Sequence, residues 1–189
     1  MGKQFAKIEP EHMAFIERQK IFFVATAPPK GRINVSPKGL SSFRVLGGND
    51  VAYLDCTGSG SETRAHLIAS DDKRLTIMFC AFEGNPVILR LYGQGRSLMR
   101  GTPEYADLVP KFEEVAGARQ IVRLSVDLAQ TSCGMGVPLF DYKQERGSLV
   151  RYWTTHGIDN LRKYWGLKNM KSIAGLPTDF APDSMAPPA

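Results

Sequence analysis

The sequence predicts an α+β fold: an antiparallel β-barrel with helices inserted between its strands and gathered at its C-terminus. Three observations lead there. Short strand-like runs follow one another through glycine- and proline-bearing turns, which is hairpin order. The helical segments are few and lack the regular strand–helix alternation of a doubly wound parallel sheet. Finally, Leu75–Ala81 is apolar on both faces, as a buried central strand is, whereas Arg119–Leu128 alternates Val122, Leu124, Val126 and Leu128 against Arg123, Ser125 and Asp127.

The elements follow in chain order. Met13, Phe15 and Ile16 among the charges of Glu11–Gln19 predict a short helix opening near Pro10. Ile21–Ala27 is a β-branched and aromatic strand ending at Pro28-Pro29-Lys30-Gly31, and Arg32–Val35 returns. Pro37, with no N–H for a central ladder, is expected to break that return strand. Phe43–Leu46 and Val51–Asp55 form a hairpin around Gly47-Gly48-Asn49-Asp50. A helix over Glu62–Ala69 separates them from Leu75–Ala81 and a strand at Val87–Tyr92. Thr102-Pro103-Glu104 reads as cap, first-turn proline and acidic first turn of a helix that Pro110 kinks or divides. After Arg119–Leu128, apolar residues at helical spacing from Leu149 to Trp165 predict two C-terminal helices. Residues 1–176 read as one domain, and the proline-rich segment 177–189 as a mobile tail or one draped over a partner.

With 189 residues, 43% hydrophobic and 23% charged, the chain suits one packed domain. No apolar run reaches the roughly 18–20 residues that span a bilayer, and the first ten residues lack the apolar core of a secretory signal. Neither a membrane nor a nucleic-acid partner is expected: the formal charge of +5 suits an anionic ligand without the clustered lysines and arginines of a nucleic-acid binder. Cys56, Cys80 and Cys133 are odd in number and widely spaced, as are His12, His66 and His156. That argues against a disulfide framework or a metal site and points to the reducing cytoplasm.

The stretch richest in chemistry is Asp55-Cys56-Thr57-Gly58-Ser59-Gly60-Ser61-Glu62-Thr63-Arg64, where a strand passes through glycines and hydroxyls into a helix. Helix-start amides lack intrahelical partners and carry partial positive charge, so this loop can cradle a phosphate. It is not a Walker loop, because no Gly-Lys-Ser/Thr closes it. It can equally be a plain helix cap, with Ser59 and Glu62 at capping-box spacing and Ser61 as an alternative N-cap. Arg32 and Lys38 flank the return strand and can lean toward the same anion. Thr131-Ser132-Cys133-Gly134 reads as a tight turn able to line a flat ligand. No histidine adjoins Cys133 in sequence, so a packed thiol is its default reading. His66 reads as a polar contact, and Trp153 and Trp165 as core.

These segments, in this order, resemble the pyridoxamine 5′-phosphate oxidase-like family of flavin-binding split barrels. Lys38 stands at the family's strand-ending lysine, Thr57 on its threonine and Ser61 on the serine of its Ser-Arg-Lys turn. Ser36–Gly39, Gly58–Thr63, Met78–Phe82 and Thr131–Gly134 match blocks of one subgroup. The resemblance implies a homodimer binding flavin mononucleotide (FMN) at its subunit interface, and an oxidoreductase with a small-molecule substrate. A non-catalytic flavin, haem or deazaflavin binder on the same barrel is the alternative. It also implies cofactor contacts from Lys38, Thr57, Ser59, Ser61, Thr63, Arg64, Ser132 and Cys133, the last two reaching the ring. The family's cationic turn is replaced by Ser61-Glu62-Thr63, so Arg64, Lys38 or Arg32 must supply the positive charge, and Ile88 stands where the family carries a flavin-contacting glutamine. No residue emerges as a catalytic acid or base.

Overall fold

The computed structural model describes residues 2–113 and 115–182. Among them, eight strands form one antiparallel sheet: β1 (Lys3–Phe5), β2 (Phe22–Thr26), β3 (Asn34–Lys38), β4 (Phe43–Gly47), β5 (Asp50–Cys56), β6 (Arg74–Cys80), β7 (Val87–Met99) and β8 (Ala118–Cys133). The spatial order is β3-β2-β6-β7-β8-β5-β4, with β1 added to β8. The end strands β3 and β4 share no ladder. The gap is closed by side chains instead: Phe22 of β2 meets Phe43 of β4 edge-on at 5.1 Å, and Lys38 of β3 pairs with Asp55 of β5.

The inward faces of β2, β5, β6, β7 and β8 fill this barrel with Val24, Tyr53, Ile77, Leu91 and Leu124. Helix α1 (Pro10–Arg18) adds Phe15 and Ile16 to the same core. On the outer face, α3 (Pro103–Leu108) covers Leu54, Leu98 and Ile121 with Tyr105. Thr102 caps α3 as its sequence foretold, and at Pro110 a 3-10 turn, Val109–Lys111, succeeds it. Helix α2 (Glu62–Ala69) has the predicted bounds. The two expected C-terminal helices form α4 (Ser148–Lys168), broken at Gly157, whose φ of 71° and ψ of 174° interrupt the helix. No helix among the described residues is long and apolar enough to cross a membrane.

Several expectations are corrected. Pro37 does not end its strand: β3 spans Asn34–Lys38 and pairs Pro37 with Phe23. As a sheet edge, β3 needs ladder bonds on one side only, so the missing N–H is tolerated. β7 and β8 extend well beyond the apolar alternation that marked them. Their register shifts at Tyr92/Gly93, where a Cβ on Gly93 would fall 1.9 Å from the Ser125 carbonyl oxygen. Glycine is what lets the bulge form and the ladder continue. Thr131, Ser132 and Cys133 accordingly end β8 instead of forming a turn, and Cys133 is exposed. β1 carries too little pattern to be seen in sequence. The beginning of the proline-rich tail is held against the protein itself: Thr178 is fully buried, and Phe180 packs on Trp165. The rest of that segment, 183–189, lies outside the described residues.

Candidate functional site

The polar centre of the molecule is Asp55, at the end of β5. The apolar run Val51–Leu54 drives β5 into the core, and Asp55 follows it in, 1% exposed. Its Oδ1 accepts from Lys38 Nζ at 2.7 Å; its Oδ2 accepts from Arg119 Nε at 2.9 Å and Gln120 Nε2 at 2.7 Å. Burial pushes the Asp55 carboxyl up, but the charges of Arg119 and Lys38 and the Gln120 hydrogen bond outweigh it, leaving the group well below the usual carboxylate range. Arg119 carries the network onward through Nη1, which donates to the Gly60 carbonyl at 2.8 Å and Asn169 Oδ1 at 2.7 Å. Asn169 Nδ2 donates to the Gly58 carbonyl at 3.0 Å. The glycine loop before α2 is thus held by its carbonyl oxygens.

That geometry separates the two sequence readings of the loop. Ser61 is the N-cap of α2, yet its side chain makes no capping bond, and its hydroxyl is buried without a hydrogen-bond partner. Ser59 is exposed, and Glu62 does not close a capping box with it: Glu62 Oε1 accepts from the Ile173 N–H at 2.9 Å. Its Oε2 lies 3.7 Å from His66 Nε2. His66 is the predicted polar contact, hydrogen-bonded through Nδ1 to Thr26 Oγ1 at 3.0 Å, and burial lowers its pKa. A buried, unsatisfied hydroxyl beside the free amides of a helix start is an arrangement that a ligand anion completes.

The other sequence-derived residues divide into three groups. Ser61, Thr63 and Arg64 lie together at the start of α2, with Thr63 buried and facing the Tyr53 phenol. Arg64 Nη1 donates to Ser97 Oγ at 2.9 Å, Nε donates to the Thr178 carbonyl, and Nη2 reaches the Asp179 carbonyl at 3.4 Å. The tail therefore crosses the outside of this loop. Lys38 and Thr57 adjoin the group with their bonding already engaged. Lys38 is ion-paired; Thr57 Oγ1 donates to the Gly117 carbonyl and accepts from Trp165 Nε1, both at 2.7 Å. Arg32 is exposed in the loop before β3.

Ser132 and Cys133 are not brought to the loop. Cys133 pairs with Val87 at one end of the β7–β8 hairpin, whereas Gln120 pairs with Met99 at the end nearer the loop. At about 3.3 Å per residue, roughly 40 Å of strand separates them. Ser132 Oγ instead accepts from Arg90 Nη1 at 3.0 Å.

Sequence reasoning missed Asp55, Arg119, Gln120 and Asn169 as site residues. For three of them a signal existed: Asp55 ends an apolar run, and Arg119-Gln120 opens another, each a polar interruption where a strand enters the core. Asn169 carried none, because it meets the loop from far along the chain. Among the described residues no group of His, Cys, Asp and Glu could hold a metal ion.

The thiols differ in a way that can be checked. Burial, together with the Asp55 charge, pushes the Cys56 thiol up to about 12, and burial raises Cys80 as well, while Cys133 is exposed. Iodoacetamide at pH 8 is therefore expected to label Cys133 and spare Cys56 in the folded protein, by peptide mass analysis. Equal labelling of the half-buried Cys56 would contradict its raised thiol.

Comparison with known proteins agrees with this architecture. The chain matches the family profile described as Pyridoxamine 5'-phosphate oxidase over residues 8–133. It is 40% identical over 180 residues to the pyridoxamine 5'-phosphate oxidase family protein ustO of Aspergillus flavus, covering 85% of this chain and 71% of that protein. Among solved structures, HupZ of Group A Streptococcus superposes with a TM-score of 0.52 at 20% identity, covering 66% of this chain and 99% of the other. A putative pyridoxamine 5'-phosphate oxidase of Lactobacillus delbrueckii gives 0.51 at 14% identity, covering 66% and 94%. At such identities the structures speak for the fold alone. The sequence match spans every strand from β2 to β8, the loop before α2 and, of the Asp55 network, Lys38, Asp55, Arg119 and Gln120, and by it the chain belongs to the pyridoxamine 5'-phosphate oxidase family.

Proposed function

We propose that this protein is an FMN-binding flavoprotein, an oxidoreductase acting on a small molecule as a cytoplasmic homodimer. The observation that carries the proposal is the Ser61 hydroxyl, buried without a partner at the N-terminus of α2. In this reading the FMN phosphate accepts from Ser61 Oγ and from the first amides of α2, with Arg64 supplying positive charge beside it. Thr63 packs the helix start against Tyr53, and Ser59 is the exposed hydroxyl at the mouth of the loop. Lys38 and Thr57 act by positioning: Lys38 ties β3 to β5 through Asp55, and Thr57 anchors the loop beneath Trp165.

When bound, FMN supplies electron and hydride transfer, and the protein supplies placement and exclusion of water. Ser132 and Cys133 reach a cofactor at this loop only from a second subunit. Exposed apolar side chains support pairing of two copies: Ile33 (71% exposed) just before the edge strand β3, and Val35 (62%) within it.

The test is direct. Protein purified from cells should be yellow, release FMN on heating and sediment as a dimer. A colourless monomer that takes up no FMN would overturn the proposal. A red protein releasing haem would replace it with the non-catalytic haem-binding alternative.

A further inference from the structure

Past the C-terminal end of α4 the chain does not trail away. Asn169, the fully buried C-cap of α4, begins a turn that brings the chain back on itself. Lys171 bridges to Pro177, and Gly175 makes the reversal with a φ of 80°. Thr178 locks the turn shut: its N–H donates to the Met170 carbonyl at 3.2 Å, and its Oγ1 donates to the Asn169 carbonyl at 2.6 Å. From this turn the segment 169–180 grips the α2 loop at Gly58, Glu62 and Arg64. Asn169 Nδ2 donates to the Gly58 carbonyl, the Ile173 N–H donates to Glu62 Oε1, and the carbonyls of Thr178 and Asp179 accept from Arg64.

The grip on Arg64 is the most telling. Nε and Nη2 form one edge of the guanidinium, and two consecutive peptide carbonyls fill it, while Ser97 Oγ takes Nη1. The Phe180 ring lies over the group, 5.7 Å from centroid to Cζ. Phe180 is itself fixed, 3% exposed and tilted against Trp165. Each of these partners is neutral. Among the described residues no carboxylate forms an ion pair with Arg64, whereas the charge of Arg119 is balanced by Asp55. A half-buried cation held only by neutral oxygens and an aromatic face lacks its counter-charge. One N–H on each of Nη1 and Nη2 remains for a ligand oxygen.

We infer that the segment 169–180 is a clasp that fixes the Arg64 guanidinium for a ligand phosphate at the start of α2, with Asp179 and Phe180 as positioning residues. The inference rests on the phosphate reading of the loop, and its residues lie outside the family match, which ends at residue 133. An arginine already held in place gives up little rotamer freedom when the phosphate arrives, so its charge-assisted bonds count in full. Asp179 makes the grip possible through its backbone. Its φ is 48°, in the left-handed region that Asp and Asn tolerate. An extended backbone there would turn the two carbonyls to opposite sides, as along a strand.

The test compares FMN with riboflavin, titrated into flavin-free full-length protein, for the wild type, Asp179→Asn, Asp179→Pro and Phe180→Leu. Asparagine keeps the left-handed conformation, and proline, with φ fixed near −65°, cannot adopt it. Asp179 is exposed, and its N–H makes no hydrogen bond among the described residues, so both variants are expected to fold. Phe180→Leu keeps apolar bulk and removes the ring over the guanidinium without touching the backbone.

The wild type is expected to bind FMN roughly ten-fold or more tighter than riboflavin. Asp179→Asn, which removes a negative charge, should keep or exceed that ratio. Asp179→Pro should cut it roughly five-fold or more, by weakening FMN alone, and Phe180→Leu roughly two-fold or more. Wild-type ratios in both Asp179→Pro and Phe180→Leu would overturn the clasp, as would equal weakening of the two flavins, which a merely structural role produces. Tighter FMN binding by Asp179→Pro would overturn it too, because the tail would then be a competitor for Arg64. These outcomes leave the phosphate reading standing. A wild type that does not prefer FMN brings down that reading, and the clasp with it.

Discussion

Asp55→Ala is expected to destabilise the protein by about 3–5 kcal/mol, the range for removing one partner of a buried ion pair. The cost arises less from a lost attraction than from what is left behind. Arg119, with a side chain 5% exposed, keeps its charge with no carboxylate facing it, and Lys38 loses the contact that bridges β3 to β5. Asp55→Asn preserves shape and one acceptor and should cost less. The pH dependence follows from the lowered carboxyl. Its contribution is fully present above the unfolded value near 4 and is lost as pH falls through the lower folded value. Urea unfolding should therefore show the gap between wild type and Asp55→Asn closing as pH drops from about 5 toward 3. A gap independent of pH over that range would mean that Asp55 is not held ionised by its partners.

Ser61→Asp is expected to fold normally and to lose FMN binding by roughly 100-fold or more. A carboxylate at an N-cap satisfies first-turn amides and complements the helix dipole, so folding is unharmed. Beside a phosphate dianion it is a like charge a few ångströms away, a repulsion on the order of 4 kcal/mol at an effective dielectric near 20. Ser61→Asn is the control, similar in size and uncharged, and should retain most affinity. Thermal melts and FMN titration of both variants separate the effects. An Asp variant that binds FMN as wild type does would remove Ser61 from any phosphate site.

The barrel was legible because its strands alternate or are wholly apolar and its turns carry glycine and proline at the hairpin positions. α2 and α3 were legible for the same local reasons, the Thr102-Pro103 start being the clearest. What escaped was set by tertiary context. Pro37 looked like a breaker because sequence cannot say that β3 is an edge. The far half of β7 was hidden because Gly93 and Gly95 interrupt the pattern, Gly93 where the Ser125 backbone comes close and Gly95 where the Leu67 and Leu75 side chains do. The site was half legible. Ser61 and Arg64 could be named from a glycine–hydroxyl loop entering a helix. The network that fixes the loop could not, because Asp55, Arg119 and Asn169 converge from three distant points in the chain. Nor could sequence tell that residues 177–180 return to cover Arg64.

The central claim is that the start of α2 reads a phosphate. Its most direct measurement is the titration of flavin-free wild-type protein with FMN and with riboflavin, which differ only by that phosphate. FMN is expected to bind at least ten-fold tighter, a difference of about 1.4 kcal/mol or more, as charge-assisted hydrogen bonds to a phosphate supply. Equal affinity for the two, or binding of neither, would contradict it.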